Sequence, residues 1–144
     1  MQVGVDVWRI ERADRVAVIV DADAYFRTLR EAMLRARKRI MLIGWDFDAR
    51  IRLDRDHRLP GEPRTVGHFV RWLADRSPEL EIYLLRWDLG ALKSLFRGMT
   101  VFALLRWMSH PRIHTRLDGH HPTGGSHHQK IVVIDDCLAF CGGD

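Results

Sequence analysis

The residue types best suited to chemistry lie close together near the end of the sequence. His128, Lys130 and Asp135 follow the spacing His-x-Lys-x(4)-Asp, and Gly142 and Gly143 stand after six further residues. A neutral imidazole can attack or protonate near neutral pH, and a fixed ammonium group can stabilise negative charge on phosphate oxygens. Taken alone, His-x-Lys is a weak signal, because a surface histidine and lysine beside an ordinary buried hairpin would have the same sequence.

The apolar residues after His128 indicate how these groups would be held. Residues 130–134 are rich in β-branched side chains, two acids suited to a turn follow, and residues 137–141 resume the apolar pattern, so a β-hairpin is predicted. Because side chains alternate faces along a strand, His128 and Lys130 would face the same side. Gly142 and Gly143 would let a ligand approach the backbone, so they are predicted to bind substrate.

The complete string, with its apolar filling, resembles the signature motif of the phospholipase D superfamily. Other segments also look like bacterial phospholipase D-like enzymes, namely residues 44–48, 85–88, 120–122 and 126–130. The resemblance implies phosphoryl transfer at a phosphodiester through a covalent phosphohistidine. His128 would be the nucleophile or general acid, and Lys130 would stabilise charge on the phosphate oxygens. Asp135 completes the catalytic motif as its acid, which in that family is largely structural.

The elements that must position these residues predict an α/β fold. Strands are expected at residues 16–20, 40–45, 81–87 and 112–117, and helices at residues 25–39, 65–77 and 89–108. The strand at 40–45 reads as buried on both faces. The basic residues at the end of the first helix would offset its dipole. The alternation of strands and helices implies right-handed crossovers and a mainly parallel sheet flanked by helices, in one domain covering residues 1–144.

Acidic residues follow the predicted strands, where ligands bind in sheets of this kind. Asp46, Asp88 and Asp118 each end one strand, although Asp88 is explained equally well as a helix cap. Asp46 and Asp48 have the right parity to share a face, and they could orient a histidine or bind a cation. We predict Asp46, Asp48 and His127 as further substrate-binding residues.

Composition sets limits on cofactors, disulfides and location. Six histidines lie between residues 110 and 128, but no spacing among them matches a zinc site, so neither a metal nor another cofactor is predicted. Cys137 and Cys141 would be roughly 13 Å apart on a strand, too far for a disulfide, and they are predicted to be small buried hydrophobes. The net charge of +4 is only a small excess of basic over acidic residues. With no secretion signal or membrane span evident, a cytoplasmic or peripheral membrane location is expected.

The sequence contains one His-x-Lys motif and stops one residue after the glycine pair. The family resembled uses two such motifs, with one histidine attacking and the other protonating the leaving group. We therefore expect the chain, with its motif in residues 122–144, to be the N-terminal half of a two-motif enzyme. That enzyme would hydrolyse glycerophospholipids or transfer their phosphatidyl group, with membrane contact only from the surface.

Two alternatives stay open at this point. The chain could be a half-site that acts as a nuclease-like phosphodiesterase only when it forms a homodimer. It could also be an inactive module that binds phosphate-bearing lipid or nucleic acid. The expected partners are therefore a phospholipid, with nucleic acid as the alternative, and a second motif supplied either downstream in the same chain or by a second copy.

Overall fold

A computed structural model describes residues 2–44, 49–53, 59–87, 105–119 and 129–142, and every structural statement below concerns these residues. The elements in chain order are helix α1 (Ala22–Leu34), strand β1 (Arg39–Gly44), helix α2 (Val66–Arg76), and strands β2 (Glu81–Trp87), β3 (Ile113–Asp118), β4 (Lys130–Ile134) and β5 (Leu138–Cys141). Strands β1 and β2 alternate with the two helices, and β3 precedes the closing hairpin of β4 and β5.

The five strands form one sheet in the order β3-β2-β1-β4-β5. Strand β1 pairs in parallel with β2, and β2 pairs in parallel with β3. Strand β4 inserts antiparallel beside β1, and β5 returns antiparallel to β4, so β5 runs in the same direction as β1. The prediction of an α/β fold with a mainly parallel sheet is confirmed, and so is the closing hairpin.

One face of the sheet carries the core. Along β1, Ile40 and Leu42 are buried, and they share that face with other buried strand residues. Helix α2 packs Phe69, Val70 and Leu73 into the same core, as the apolar spacing of that helix predicts. Burying each of these side chains contributes about 1.5–3 kcal/mol relative to leaving it in water. This apolar packing fixes which side of every strand faces the helices.

The opposite face of β1 is only half-buried, so the prediction that this strand is buried on both faces is wrong for the part of the chain described. Met41 and Ile43 alternate with the core residues and line an open cavity of about 490 Å³ together with Tyr83 and Met108. Neither α1 nor α2 packs over these residues, because both helices contribute their buried side chains to the core on the other face.

The N-terminal predictions need two corrections. Residues 16–20 form no strand; Val18, for example, is 89% exposed, because no described strand pairs with this segment and β-propensity alone does not hold a strand. Helix α1 begins at Ala22, three residues before its predicted start, and Asp21 Oδ1 accepts a hydrogen bond from the Ala24 amide at 2.8 Å. It ends at Leu34, so the prediction that basic residues lie in its last turn is wrong, and they follow the helix instead.

The second helix is confirmed at Val66–Arg76, close to its predicted bounds. Most of the helix predicted at residues 89–108 lies outside the described residues, but residues 105–108 are helical. Within them, Trp107 is fully buried and its Nε1 donates a hydrogen bond to the Gly67 carbonyl at 2.8 Å. This contact fixes the segment before β3 against α2. None of the helices described is long and apolar enough to cross a membrane.

Candidate functional site

One edge of the sheet, the carboxyl edge, is formed by the ends of β1, β2, β3 and β5 and the start of β4. Gly44 at the end of β1 lies opposite Arg86 on one side and Lys130 on the other. The amide of Gly142, just after β5, donates a hydrogen bond to the Lys130 carbonyl at 3.0 Å. Asp118 ends β3 at the same edge, opposite Trp87. In open α/β sheets this is the edge at which ligands bind.

Lys130 begins β4 on the face that carries the helices. Val132 and Ile134 share its parity and are buried in the core, and Lys130 itself is half-buried. The side chain therefore starts at the carboxyl edge on the same side as α1. His127 and His128, the predicted substrate ligand and catalytic imidazole, lie outside the described residues, as do Asp46, Asp48 and Gly143.

Asp135 lies at the opposite end of β4. Its carboxylate accepts three backbone hydrogen bonds from the connection between α1 and β1: Oδ2 from the Arg37 amide at 2.9 Å, and Oδ1 from Lys38 at 2.8 Å and Arg39 at 2.9 Å. Since Asp135 is five residues from Lys130 and an antiparallel strand rises about 3.4 Å per residue, this cluster is roughly 17 Å from the position of Lys130. The structure therefore does not bring Asp135 together with Lys130, and it binds this carboxylate to backbone amides.

The same bonds determine the ionisation of Asp135. Partial loss of solvent by itself would raise the pKa of this carboxyl group. The hydrogen bonds from Arg39, Lys38 and Arg37, with the nearby Lys38 charge, outweigh that effect and lower the pKa below its ordinary value. Asp135 is accordingly an ionised structural anchor between the hairpin and the start of β1.

The backbone of the hairpin turn suits these acids. Asp135 and Asp136 have positive φ angles of 51° and 57°, and the Cys137 amide donates to the Ile134 carbonyl at 3.1 Å. Positive φ at both central residues is the geometry of turns whose twist matches a hairpin, and Asp tolerates it better than most residues. The two acids thus form the hairpin turn, and the first of them, Asp135, contacts the amides of the α1–β1 connection.

Tyr25, in the first turn of α1, lies at the carboxyl edge, and the sequence analysis did not single it out. A Cβ atom placed on Gly142 would lie 3.9 Å from Tyr25 Cε2, Cζ and Oη. The ring also packs edge-on against Phe140, with centroids 6.0 Å apart, and against Phe26 at 5.4 Å. Burial, and then the nearby Cys141 thiol, raise the pKa of the Tyr25 hydroxyl above its ordinary value. A helix that runs antiparallel to the following strand begins at the edge where that strand ends. The predicted order of helix and then strand could therefore have pointed to Tyr25, at the start of the helix.

Asp88 lies outside the described residues, and the other predicted polar residues that are described do not meet at Lys130. Asp118 is at the carboxyl edge but three strands away, which is roughly 14 Å at the usual strand spacing. Two histidines of the group considered for a metal are engaged elsewhere: His110 Nε2 lies 3.1 Å from Asp75 Oδ1, and His114 Nε2 lies 2.6 Å from Glu81 Oε2. Within the described ranges, no three metal-ligating side chains form a group that could hold an ion.

The two cysteines differ from their prediction. Cys137 and Cys141 are reduced, as expected, but both are exposed rather than buried. Cys137 lies in the hairpin turn, and Cys141 alternates with the buried Phe140, so its side chain is on the face away from the core.

Comparison with known proteins adds relatives of one kind. No protein-family model matches the chain. Over 128 residues it is 28% identical to phospholipase D B of Dictyostelium discoideum, and over 139 residues it is 28% identical to phospholipase D C of the same organism. It is 24% identical over 124 residues to phospholipase D2 of Bos taurus.

These matches cover most of this chain and little of each relative. They span 86%, 89% and 86% of the chain, and 10%, 8% and 13% of the respective relatives. The chain thus corresponds to about a tenth of the length of the curated proteins it matches. These relatives all carry a phospholipase D name and align over a similarly large share of the chain. The chain is therefore related to the phospholipase D superfamily.

Proposed function

We propose that this chain supplies one half of the active site of a phospholipase D-type phosphodiesterase. In this proposal His128 is the nucleophile or the general acid, and Lys130 stabilises negative charge on the phosphate oxygens. The observation that carries the proposal is the position of Lys130, which begins β4 at the carboxyl edge of the sheet, directly opposite Gly44. An ammonium group fixed there can act on a phosphate bound beyond that edge.

Asp135 has a supporting role in this proposal. Its three hydrogen bonds to the amides of residues 37–39 hold β4 in register beside β1. That register fixes where Lys130 emerges from the sheet. The spacing of four residues between the lysine and the acid then has a physical meaning, because it is the length of strand that separates the reacting edge from the anchored edge.

The proposed reaction follows the chemistry of histidine with a phosphodiester. An imidazole nitrogen attacks phosphorus, the bond from phosphorus to the leaving alcohol breaks, and a second histidine protonates that alcohol. Water then attacks the phosphohistidine and releases the phosphate monoester, or an alcohol attacks and gives a transferred diester. The described residues supply the lysine, and the sequence supplies one histidine two positions before it.

The second half of the site completes the proposal. We place a second histidine and lysine either downstream in a longer gene product or on a second copy of this chain. The small share of each relative that this chain covers supports the first arrangement, and the name phospholipase D, printed for those relatives, supports glycerophospholipids as the substrate. Contact with the lipid would be at a membrane surface.

The test uses the full gene product with phosphatidylcholine vesicles and measures release of the headgroup. His128→Ala and Lys130→Met should each lower kcat by at least about 100-fold, the usual contribution of a positioned acid–base group or charge-stabilising donor. His114→Ala and Lys38→Met are matched controls, because His114 is on β3 and Lys38 precedes β1 at the anchored edge, and both should retain activity.

The outcomes separate the alternatives. Formation of the transferred diester when ethanol is added would assign the transfer reaction as well as hydrolysis. Cleavage of a nucleic acid but not of the vesicles would favour the nuclease-like homodimer. A wild-type product that cleaves neither, or a His128→Ala variant as active as the wild type, would contradict the proposed function.

A further inference from the structure

The hydroxyl of Tyr25 has a position that packing does not explain. The contacts with Phe140 and Phe26 involve the ring, and a phenylalanine would make them equally well. Tyr25 Oη makes no hydrogen bond to another residue within the described part of the chain. Its side chain is half-buried and lies at the edge rather than within the core.

The register places this hydroxyl and the base of the Lys130 side chain at the same part of the carboxyl edge. Gly142 and Lys130 are cross-strand neighbours joined by the hydrogen bond from the Gly142 amide. Opposed residues of an antiparallel pair are about 4.5–5.5 Å apart. Gly142 has the parity of the buried Phe140, so the side on which it meets Tyr25 is the helix side, where Lys130 also lies. Tyr25 Oη and the base of the Lys130 side chain therefore flank the same short stretch of the carboxyl edge.

Gly142 lies directly against this hydroxyl. A Cβ placed on Gly142 would be in ordinary van der Waals contact with Tyr25 Cε2, Cζ and Oη, at 3.9 Å. The residue after β5 and the aromatic hydroxyl are therefore neighbours at the carboxyl edge.

From this geometry we propose that Tyr25 is a substrate-binding residue, whose hydroxyl donates a hydrogen bond to a non-bridging oxygen of the phosphodiester held by Lys130. The inference rests on the proposed function and extends it to a residue about a hundred positions from the motif. The bond would orient the phosphate so that one face is presented to the attacking imidazole.

The chemistry of the donor agrees with this assignment. A raised pKa keeps the phenol protonated at neutral pH, so it can donate to an anionic oxygen and does not add a like charge. Tyr25 would therefore bind and orient the substrate without transferring a proton. The ammonium group of Lys130 would supply the positive charge, and the hydrogen bond from the phenol would orient the phosphate.

The experiment compares Tyr25→Phe with Tyr83→Phe in the full gene product. These are the two tyrosines of the chain, and Tyr83 lies on the opposite face of the sheet, so its hydroxyl is a control for the same chemical change. Two quantities are measured: kcat/KM for phosphodiester cleavage and the inhibition constant of inorganic vanadate, which mimics a transferring phosphoryl group. The melting temperature of each variant is recorded alongside.

Tyr25→Phe should lower kcat/KM and weaken vanadate inhibition by about 10-fold to 100-fold each, the factor for one hydrogen bond to a charged acceptor. Its melting temperature should match the wild type, and Tyr83→Phe should match the wild type in all three measurements. A fully active Tyr25→Phe variant, or equal losses in both variants, would overturn the role of Tyr25 and leave the proposed function intact. If the wild type itself lacks His128-dependent activity, both proposals fail together.

Discussion

At the scale of single residues, the motif divides into two parts with different tasks. Lys130 lies at the carboxyl edge with its side chain on the helix side, whereas Asp135 is at the far end of the same strand and is bonded to three amides. A carboxylate so engaged is a poor general base, because protonating it would cost those bonds. Its value to the protein is the position that it gives to the lysine.

Replacing Asp135 should destabilise the fold by more than the turn geometry alone explains. Asp135→Ala should cost about 2 kcal/mol more in the free energy of unfolding than Asp136→Ala, because both changes put alanine at a positive φ but one alone removes the backbone hydrogen bonds. Urea denaturation measures the difference. Equal losses in the two variants would show that the turn, and not the carboxylate, matters.

The lowered pKa of Asp135 adds a pH dependence with a definite sign. Since the folded pKa lies below the unfolded value of about 3.9, the stabilisation is complete above that value and is lost as pH falls through the folded pKa. The stability advantage of the wild type over Asp135→Ala should therefore shrink in acid below about pH 4.

At the scale of elements, helix α1 links the two edges of the sheet. It begins beside Gly142 at the carboxyl edge, and the connection after it is held by Asp135 at the other. Its middle is fixed by a buried ion pair between Arg30 and Glu62, whose side chains are 6% and 1% exposed. Glu62 also accepts a hydrogen bond from the Leu59 amide at 2.8 Å, which ties α1 to the segment before α2.

Breaking this ion pair should loosen α1. Glu62→Gln should lower the free energy of unfolding by about 3 kcal/mol, because it removes the negative charge that the buried Arg30 guanidinium contacts and weakens both of its hydrogen bonds to that side chain. The double variant Arg30→Met with Glu62→Leu should recover part of that loss, since apolar side chains then replace both members of the buried pair. Denaturant unfolding of the set measures both effects. A loss below about 1 kcal/mol in Glu62→Gln would mean that the pair behaves as a surface contact.

At the scale of the whole molecule, the proposed site is shared between two halves. The chain carries one His-x-Lys motif, and the attacking and protonating roles need two histidines on opposite sides of the phosphate. The sheet face that carries Met41 and Ile43 is covered by neither α1 nor α2. The relatives are about ten times longer than the segment that they share with this chain.

The 144-residue chain on its own is therefore expected to be inactive as a monomer. Sedimentation analysis combined with a phosphodiesterase assay at several protein concentrations tests this. Activity that rises with dimer formation would assign the second half-site to another copy, and activity confined to a longer gene product would assign it to the same chain. A monomer of the isolated chain that turns over substrate would contradict the two-half arrangement.

The sequence by itself determined the local features of this protein. The β-branched run and the two acids after it predicted the hairpin, and the apolar spacing predicted α2. These features depend on neighbours within a few residues, so periodicity and turn chemistry are sufficient to predict them. The prediction of a strand at residues 16–20 was wrong because a strand also needs a neighbouring strand to pair with, which the local sequence does not show.

Only the tertiary structure decided what the distant residues do for one another. Asp135 reaches amides 96 to 98 positions earlier in the sequence, and Tyr25 meets Gly142 across most of the chain. Both contacts exist because β4 inserts beside β1 in the sheet, and no local pattern encodes that pairing. Strand order is set by how the whole core packs, so the residues that share a site are known only once the sheet is assembled.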